Sequence, residues 1–213
     1  TPSTALSRGA ADRSRPRGSS DSSSSDTSTR RHRGPLTSAA AVRLLDDATG
    51  RDAVLDVLFS FARQFFDYSA IFAIHEEVAE GREAYGPGAS SDEIKHVTVP
   101  LTQPGVLADA RDRRAPAVAS LDARPADRQL AAQLGRPGAG PALVLPIAIK
   151  NRVVLVLYAD RGGDAFEPSD VPELLAIVPR VASTLERIII RKKSRGPSFE
   201  RPTESAVRDD LKA

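Results

Sequence analysis

The chain has 213 residues, which fits one domain of ordinary size, and its 30 basic and 28 acidic residues leave a formal net charge of +2. This near balance gives no sign of a specific nucleic-acid partner. The absence of cysteine excludes disulfides, thiolate metal sites, a cysteine nucleophile and a thioether-linked chromophore. Because the apolar stretches have strand length and the N-terminus is polar, we expect no membrane span and a cytoplasmic location.

Two polar tails flank the part of the sequence that can form a core. Residues 1–35 contain one Leu and no Ile, Val, Phe, Tyr or Trp, so they are predicted to be a disordered Ser/Arg-rich linker. Residues 194–213 are predicted to be a flexible C-terminal tail, which leaves residues 36–193 for one domain. The basic residues of the tails are interpreted as solvated charge, with weak phosphate or acidic-lipid binding as an accessory alternative. A chain that starts at Thr1 and has no Met is expected to be a piece of a longer protein, and its Arg-rich, Ala-rich composition is typical of bacteria.

Helices are predicted first along the chain. Thr37 or Ser38 can cap a short first helix. After Asp52 as the expected N-cap, apolar residues recur at spacings of three and four as far as Phe66, which predicts a longer amphipathic helix. Residues 68–75 follow as a continuous apolar run of strand length, which is typical of a strand that is buried on both faces.

The remaining elements complete an α+β pattern. Shorter strands are predicted over residues 83–86, 94–101 and 116–120, and short helices over 105–113 and 124–135. Residues 142–149 and 153–160 indicate two apolar strands, with Asn151 suited to a left-handed turn position between them. Asp170 can cap a last helix that runs to Lys193. We therefore expect a mostly antiparallel central sheet with the N- and C-terminal helices on one face.

The order of the elements carries a family resemblance. An amphipathic helix at 52–66 leads into the strand at 68–75, and the segment 103–118 follows. The chain closes with a Pro-containing apolar strand, a tight turn, a second apolar strand, an aromatic before an acid, and a long helix: Leu143, Val144, Leu145, Pro146, Ile147, Asn151, residues 153–158, Phe166, Asp170, Leu174 and Leu175. This pattern resembles the GAF domain family. The resemblance implies a GAF-like sandwich that serves as a small-molecule sensor or as a dimerising relay.

One part of the closing pattern resembles a subtype of the family. Asn151, Arg152, Phe166 and Asp170 are similar to the Asn-Lys, Phe and Asp-Glu signature of cyclic-nucleotide-binding members. Arg152 stands where those members have Lys, and Val171 stands where they have Glu. We therefore interpret the trace as evidence for the fold, and we expect Arg152 and Asp170 to form a structural ion pair.

Candidate ligand-binding residues follow from the same resemblance. Phe72, Tyr85 and Tyr158 lie on or beside predicted strands where the pocket of such a domain would be, and Asp109 could stand with neighbouring arginines at its mouth. Aromatic residues on strands are more often core residues, and the charged residues around Asp109 are more often a solvated helix face. Both interpretations stay open.

The predicted last helix carries two apolar columns. The first shows the alternating spacings of four and three of heptad positions a and d: Leu174, Val178, Val181, Leu185 and Ile188. The second lies beside it: Leu175, Ala182 and Ile189. Two columns suggest two burial surfaces, so we expect a homodimer that forms through the first column. The alternative is that both columns face the core of the domain itself, and Pro179 is expected to bend the helix.

The chemistry-bearing residues give no sign of an enzyme. His75 and His96 lack the further convergent ligands that a metal site needs, and the glycines at 135, 138 and 140 lack nucleotide-loop spacing. We expect no metal and no cofactor. The sequence therefore predicts a non-catalytic regulatory module that acts by protein docking or dimerisation in bacterial signalling, with a second copy or a signalling protein as partner. The alternative is a sensor that binds an unknown small molecule between sheet and helices.

Overall fold

The computed structural model describes residues 35–194. The predicted tails at 1–35 and 194–213 lie outside this range, apart from Pro35 and Ser194. The helices are α1 (Ser38–Asp47), α2 (Arg51–Ala62), α3 (Ser91–Ile94), α4 (Val106–Arg113), α5 (Pro125–Gln133) and α6 (Pro172–Ser194), with a 3₁₀ turn at Pro168–Asp170. The strands are β1 (Tyr68–His75), β2 (Val78–Tyr85), β3 (Thr98–Pro100), β4 (Ala117–Ala119), β5 (Ala142–Ile149) and β6 (Arg152–Asp160).

The strands form one antiparallel sheet in the order β3-β2-β1-β6-β5-β4. β1 and β6 lie at its centre and pair from Tyr68 opposite Asp160 to Ala73 opposite Leu155. Both strands are continuous apolar runs because helices cover both faces of the sheet, so successive side chains on either side are buried. The predicted α+β fold with a mostly antiparallel sheet is confirmed.

Three helices, α1, α2 and α6, cover one face of the sheet and are called the three-helix layer. The N- and C-terminal helices therefore lie on one face, as predicted. α2 presents two adjacent apolar sides, and its Leu58 and Phe61 are fully buried against the sheet side chains Ile71 and Leu157. Burial of each such side chain contributes about 1.5–3 kcal/mol. Thr37 caps α1, since its hydroxyl accepts a hydrogen bond from the amide of Ala40 at 3.2 Å.

The opposite face of the sheet is covered by α3, α4 and α5. Its core contains the alternate side chains of the central strands together with Leu107 of α4 and Leu130 of α5, and all of these are fully or almost fully buried. Phe72 and Tyr158 belong to this second core. The sheet therefore separates two apolar layers.

The predicted strand at 94–101 is wrong in its first half. Ser90 accepts a hydrogen bond from the amide of Glu93, and the carboxylate of Glu93 accepts one from the amide of Ser90 at 2.8 Å. This capping box starts the helical turn α3, and only Thr98–Pro100 pairs with β2. The predicted strand at 83–86 is the last part of the longer strand β2.

Two predicted caps and one turn also differ. Gly50, not Asp52, is the N-cap of α2. Asp170 ends the 3₁₀ turn and accepts a hydrogen bond from the amide of Glu167 at 2.9 Å, so α6 begins after it at Pro172. In the β5–β6 hairpin Lys150, not Asn151, has the left-handed backbone, with φ of 56°.

Candidate functional site

The three aromatic residues predicted for a pocket do not meet on one cavity wall. Phe72 and Tyr158 each have 0% exposed surface, and a side chain that lines a ligand-sized cavity would expose surface to it. Tyr85 ends β2 on the outside of the molecule, where the guanidinium of Arg63 lies 5.6 Å from its ring centroid. Phe72 and Tyr158 are therefore core residues in this structure, the alternative that the sequence left open.

Asp109, predicted for the pocket mouth, joins α4 to α5. Its carboxylate accepts a hydrogen bond from Arg124 at 2.6 Å. The neighbouring Asp127 is buried and caps α4, because its Oδ1 accepts a hydrogen bond from the amide of Val106 at 2.7 Å. Burial raises the pKa of Asp127, although the Val106 amide and Arg124 oppose this effect. This carboxylate cluster therefore holds two helices together.

The predicted ion pair between Arg152 and Asp170 is wrong. Arg152 opens β6 and lies beside the C-terminal half of α6, whereas Asp170 precedes the first residue of that helix. The 23 residues of α6 span about 34 Å, which no side chain can bridge. Asp170 instead lies 4.0 Å from Arg161.

The first apolar column of α6 faces the core of the domain. Leu174, Val181, Leu185 and Ile188 are at most 4% exposed, and Val178 is partly buried against the same core. They contact the sheet and the other two helices of the three-helix layer. The prediction that these five residues form a dimer seam is therefore wrong, since their surface is already used within one copy.

A different part of α6 remains open. Leu175, Pro179, Ala182 and Ile190 lie along one side of the helix, with Glu186 between the last two, and we call the four apolar residues the exposed α6 stripe. Leu175 and Ala182 are partly buried, Pro179 is exposed, and Ile190 has 54% of its surface exposed. The stripe shares Leu175 and Ala182 with the predicted second column, whereas Ile189 of that column lines a cavity at one end of the sheet.

A half-open cavity of about 620 Å³ lies at one end of the sheet, between the start of α2 and the C-terminal half of α6, and we call it the foot cavity. Its volume is within the range of small-molecule sites. The apolar wall consists of Ala73, Ile74, Ile149, Val154, Leu155, Leu185, Ile188 and Ile189. Sequence reasoning missed this site, because four separate chain segments form it.

The rim of the foot cavity is basic. Arg51, Arg82, Arg152 and Lys192 line it, against Asp52 as the lining carboxylate. Arg82 forms an ion pair with Glu80 at 2.7 Å, and Arg51 forms one with Asp52 at 3.8 Å. Arg152 and Lys192 are exposed, and neither forms an ion pair within residues 35–194.

A shallower cavity of about 300 Å³ adjoins the foot cavity at Ile74 and Arg152. Arg111 and Arg114 of the arginine group around Asp109 line it. Arg114 donates to Asn151 Oδ1 at 2.5 Å, and Arg111 donates to the carbonyl of Glu76 at 3.1 Å. These arginines therefore tie α4 and the two neighbouring hairpin turns together.

Two further findings concern the described part of the chain. Within residues 35–194, no three His, Cys, Asp or Glu side chains come together as metal ligands would. None of the helices there has the length and hydropathy that a membrane crossing requires.

No protein-family model and no curated protein matches the sequence, but solved structures match the fold. The GAF domain of a two-component sensor histidine kinase from Bacillus halodurans is 22% identical, with a TM-score of 0.55 over 68% of this chain and 99% of that one. The GAF domain of a phosphoenolpyruvate-protein phosphotransferase from Coxiella burnetii is 13% identical, with a TM-score of 0.58 over 73% and 96%. Free methionine-R-sulfoxide reductase from Neisseria meningitidis, solved with its substrate, is 16% identical, with a TM-score of 0.57 over 72% and 89%. The chain therefore has a GAF-like fold.

Proposed function

From this fold we propose that the domain is a non-catalytic regulatory module of bacterial signalling that acts by self-association through α6. Domains of this fold occur in a sensor histidine kinase and in a phosphotransferase, which supports a regulatory role. The observation that carries the proposal is the exposed α6 stripe, a row of apolar residues interrupted by Glu186 that the core of one copy leaves accessible. Apolar surface on a long helix gains stability when a second helix covers it.

The charges at the two ends of α6 favour a second copy of this chain as the partner that covers the stripe. Residues 164–173 carry Asp164, Glu167, Asp170 and Glu173 and no basic residue. Residues 187–193 carry Arg187, Arg191, Lys192 and Lys193 and no acidic residue. An antiparallel pair of α6 helices brings the acidic end of each copy to the basic end of the other, whereas a parallel pair brings like charges together.

The side chains of the stripe fit the same arrangement. When Ile190 of each copy packs on Leu175 of the other, the crossing point falls at Ala182 and Ser183, whose small side chains allow a close approach of the helices. Pro179 lies on the stripe side, where it leaves the packing of α6 against the sheet undisturbed.

One of the similar solved structures is an enzyme, free methionine-R-sulfoxide reductase, so the proposed non-catalytic role needs its own argument. This chain has no cysteine, so it offers no thiol as a reductant or nucleophile. The buried carboxylates of Asp127 and Asp160 hold helices and loops in place through hydrogen bonds, and neither lines the foot cavity. A test for methionine sulfoxide reduction by the purified chain should give no turnover above the buffer rate.

Sedimentation of the wild-type chain and an Ile190→Glu variant tests the self-association. We expect a concentration-dependent dimer for the wild type and at least a tenfold weaker dimer for the variant, which corresponds to about 1.4 kcal/mol. Tyr85→Glu is the matched control, since Tyr85 is also an exposed large residue but lies on β2. A wild-type chain that stays monomeric at high micromolar concentration contradicts the proposal.

Cross-linking tests the antiparallel direction, because any introduced cysteine is the first in the chain. Lys193 comes opposite Pro172 in the antiparallel pair described above. A mixture of Pro172→Cys and Lys193→Cys chains should therefore form a mixed disulfide, while Lys193→Cys alone should not. Efficient cross-linking of Lys193→Cys alone would indicate a parallel pair.

The second candidate function is that of a small-molecule sensor. The foot cavity favours it, since it lies between the sheet and the three-helix layer and has the volume of a ligand site.

A further inference from the structure

We infer that the foot cavity binds a small amphipathic anion, an aliphatic body that ends in one carboxylate. This inference deepens the sensor candidate and does not depend on self-association. The cavity has an apolar wall of aliphatic side chains and a basic rim, so it matches a ligand with one apolar and one anionic part.

The charges of the rim determine the sign of the charge that a ligand must carry. Three arginines, one lysine, His75 and one carboxylate line the cavity, and two of the cations, Arg152 and Lys192, have no ion-pair partner within residues 35–194. Arg152 can hold a carboxylate with two parallel hydrogen bonds, and Lys192 can approach the same group as a point charge. The start of α2 adds backbone amides without a side-chain cap, since Gly50 is its N-cap. A cationic ligand would meet the same groups as repulsion.

The wall determines the body of the ligand. Val154 and Leu155 of β6 line the cavity together with Leu185 and Ile188 of α6. The lining contains no Phe, Tyr or Trp, and its one aromatic ring is His75, which lies beside Arg82 at the polar rim, so the apolar wall itself offers no ring for stacking. Flexible methylene groups pack against branched aliphatic side chains and need no stacking partner. The wall therefore fits an alkyl chain better than a nucleotide base.

The position of the site suggests how a bound anion would be sensed. The first turn of α2 and the C-terminal half of α6 line the same cavity, and β1 and β6 form the floor between them. A ligand that bridges Arg152 of β6 and Lys192 of α6 links the last turns of α6 to the sheet. All six residues from Ile189 to Ser194 are exposed, so the ligand would hold a helix end that the domain otherwise contacts little.

Isothermal titration calorimetry with decanoate, below its micelle concentration, tests the site on the full chain. We expect saturable binding at one site, and binding of 1-decanol at least about tenfold weaker because it lacks the charge. Arg152→Glu with Lys192→Glu should weaken decanoate by at least about tenfold, whereas Arg43→Glu on the exposed side of α1 should not change it. Absence of decanoate binding, equal binding of 1-decanol, or an unchanged double variant would each overturn the inference.

A second variant separates the shape of the site from its charge. Val154→Phe fills the cavity and leaves the rim intact, so decanoate should bind more weakly while thermal unfolding shows a folded chain. If this variant does not fold, the double rim variant decides alone, because both of its residues are exposed.

Two controls distinguish the ligand site from self-association and from membrane binding. Ile190→Glu should bind decanoate as the wild type does, so loss of self-association and loss of the ligand site are distinguishable. Flotation with phosphatidylglycerol vesicles separates a free ligand from a membrane surface. Rim-dependent vesicle binding without binding of free decanoate would assign the basic rim to a lipid surface and overturn the inference.

Discussion

Arg136 donates hydrogen bonds to both oxygens of the Asp160 carboxylate, which has no exposed surface. Arg136 follows α5, and Asp160 is the last residue of β6. The third nitrogen of the guanidinium, Nη1, donates to the carbonyl of Pro87 at 2.8 Å, and the carboxylate also accepts from the amide of Gly162 at 2.8 Å. One buried pair therefore fixes three loops at the end of the sheet opposite the foot cavity.

Asp160→Ala should lower the free energy of unfolding by about 3–5 kcal/mol, because it leaves the mostly buried Arg136 without its anion. Urea unfolding measures the effect, and Asp164→Ala at an exposed position should change it by less than about 0.5 kcal/mol. Replacing both Arg136 and Asp160 with Leu should cost less than Asp160→Ala, since no charge is then left alone. Equal losses for Asp160→Ala and Asp164→Ala would show that the pair does not hold the loops.

The hydroxyl of Tyr158 is buried beside Asp160 but forms no hydrogen bond of normal geometry. Burial and then the Asp160 charge raise the pKa of Tyr158 above its ordinary value. A tyrosine in the unfolded chain ionises near pH 10. Because the pKa of Tyr158 is higher in the folded chain, the folded chain keeps its full stability below about pH 10 and loses stability as the pH rises above that value.

Tyr158→Phe should therefore leave the free energy of unfolding at pH 7 unchanged or higher, and it should reduce the loss of stability above about pH 10. Tyr68→Phe is the matched comparison, since the Tyr68 hydroxyl donates to the carbonyl of Ala89 at 3.1 Å. That variant should cost about 1 kcal/mol at pH 7. Urea unfolding at a series of pH values checks both, and an equal cost for the two variants would mean that Tyr158 is hydrogen-bonded after all.

Long buried strands are the easiest elements to predict. The predicted bounds of β1 and β5 match the structure, because both are continuous apolar runs between polar turns. The prediction around Ile94 is wrong because the alternating pattern there is typical of a strand, whereas the capping box of Ser90 and Glu93 starts a helical turn. A local hydrogen-bonded cap therefore outweighs the periodicity of a short segment.

The candidate sites are harder to predict because a sequence does not show which side of an element is covered. The two apolar columns of α6 are visible in the sequence, but only packing shows that Leu185 and Ile188 of the first are buried in the core while Ile189 of the second is exposed. The foot cavity exists only where four chain segments that are distant in sequence come together in the fold. Its sequence trace is limited to cations such as Arg152 and Lys192, which solvated surfaces also contain.

Gly81 of β2 lies where the chain passes closest to α3. A Cβ atom at this position would lie 2.0 Å from the carbonyl oxygen of Ile94, and the Gly81 amide donates to the carbonyl of Val97 at 2.9 Å. Gly81→Ala should therefore destabilise the domain by about 1–3 kcal/mol, because backbone must move. Gly163→Ala, with nothing within 4 Å of its added atom, should be neutral or stabilising by up to about 1 kcal/mol in the same thermal unfolding experiment. Equal melting temperatures of the two variants would contradict the close approach.

Arg187 of α6 holds the end of α1. One guanidinium nitrogen lies 3.1, 2.8 and 3.2 Å from the carbonyl oxygens of Leu45, Asp46 and Ala48, so its two hydrogens are shared among three acceptors. The last carbonyls of a helix have no partner within the helix, so this side chain supplies what α1 itself lacks.

Arg187→Ala should therefore loosen α1 and lower the free energy of unfolding by about 1–3 kcal/mol, the range for hydrogen bonds to a charged group. Hydrogen exchange should become faster at the amides of Ser38–Asp47 and stay unchanged in the buried strand β1. Arg187→Lys should restore little of the protection, because a single ammonium group replaces the planar fork. Arg191→Ala, one turn further along and exposed, is the control and should exchange as the wild type does. Unchanged exchange in α1 of the Arg187→Ala chain would show that packing of Leu45 alone holds the helix.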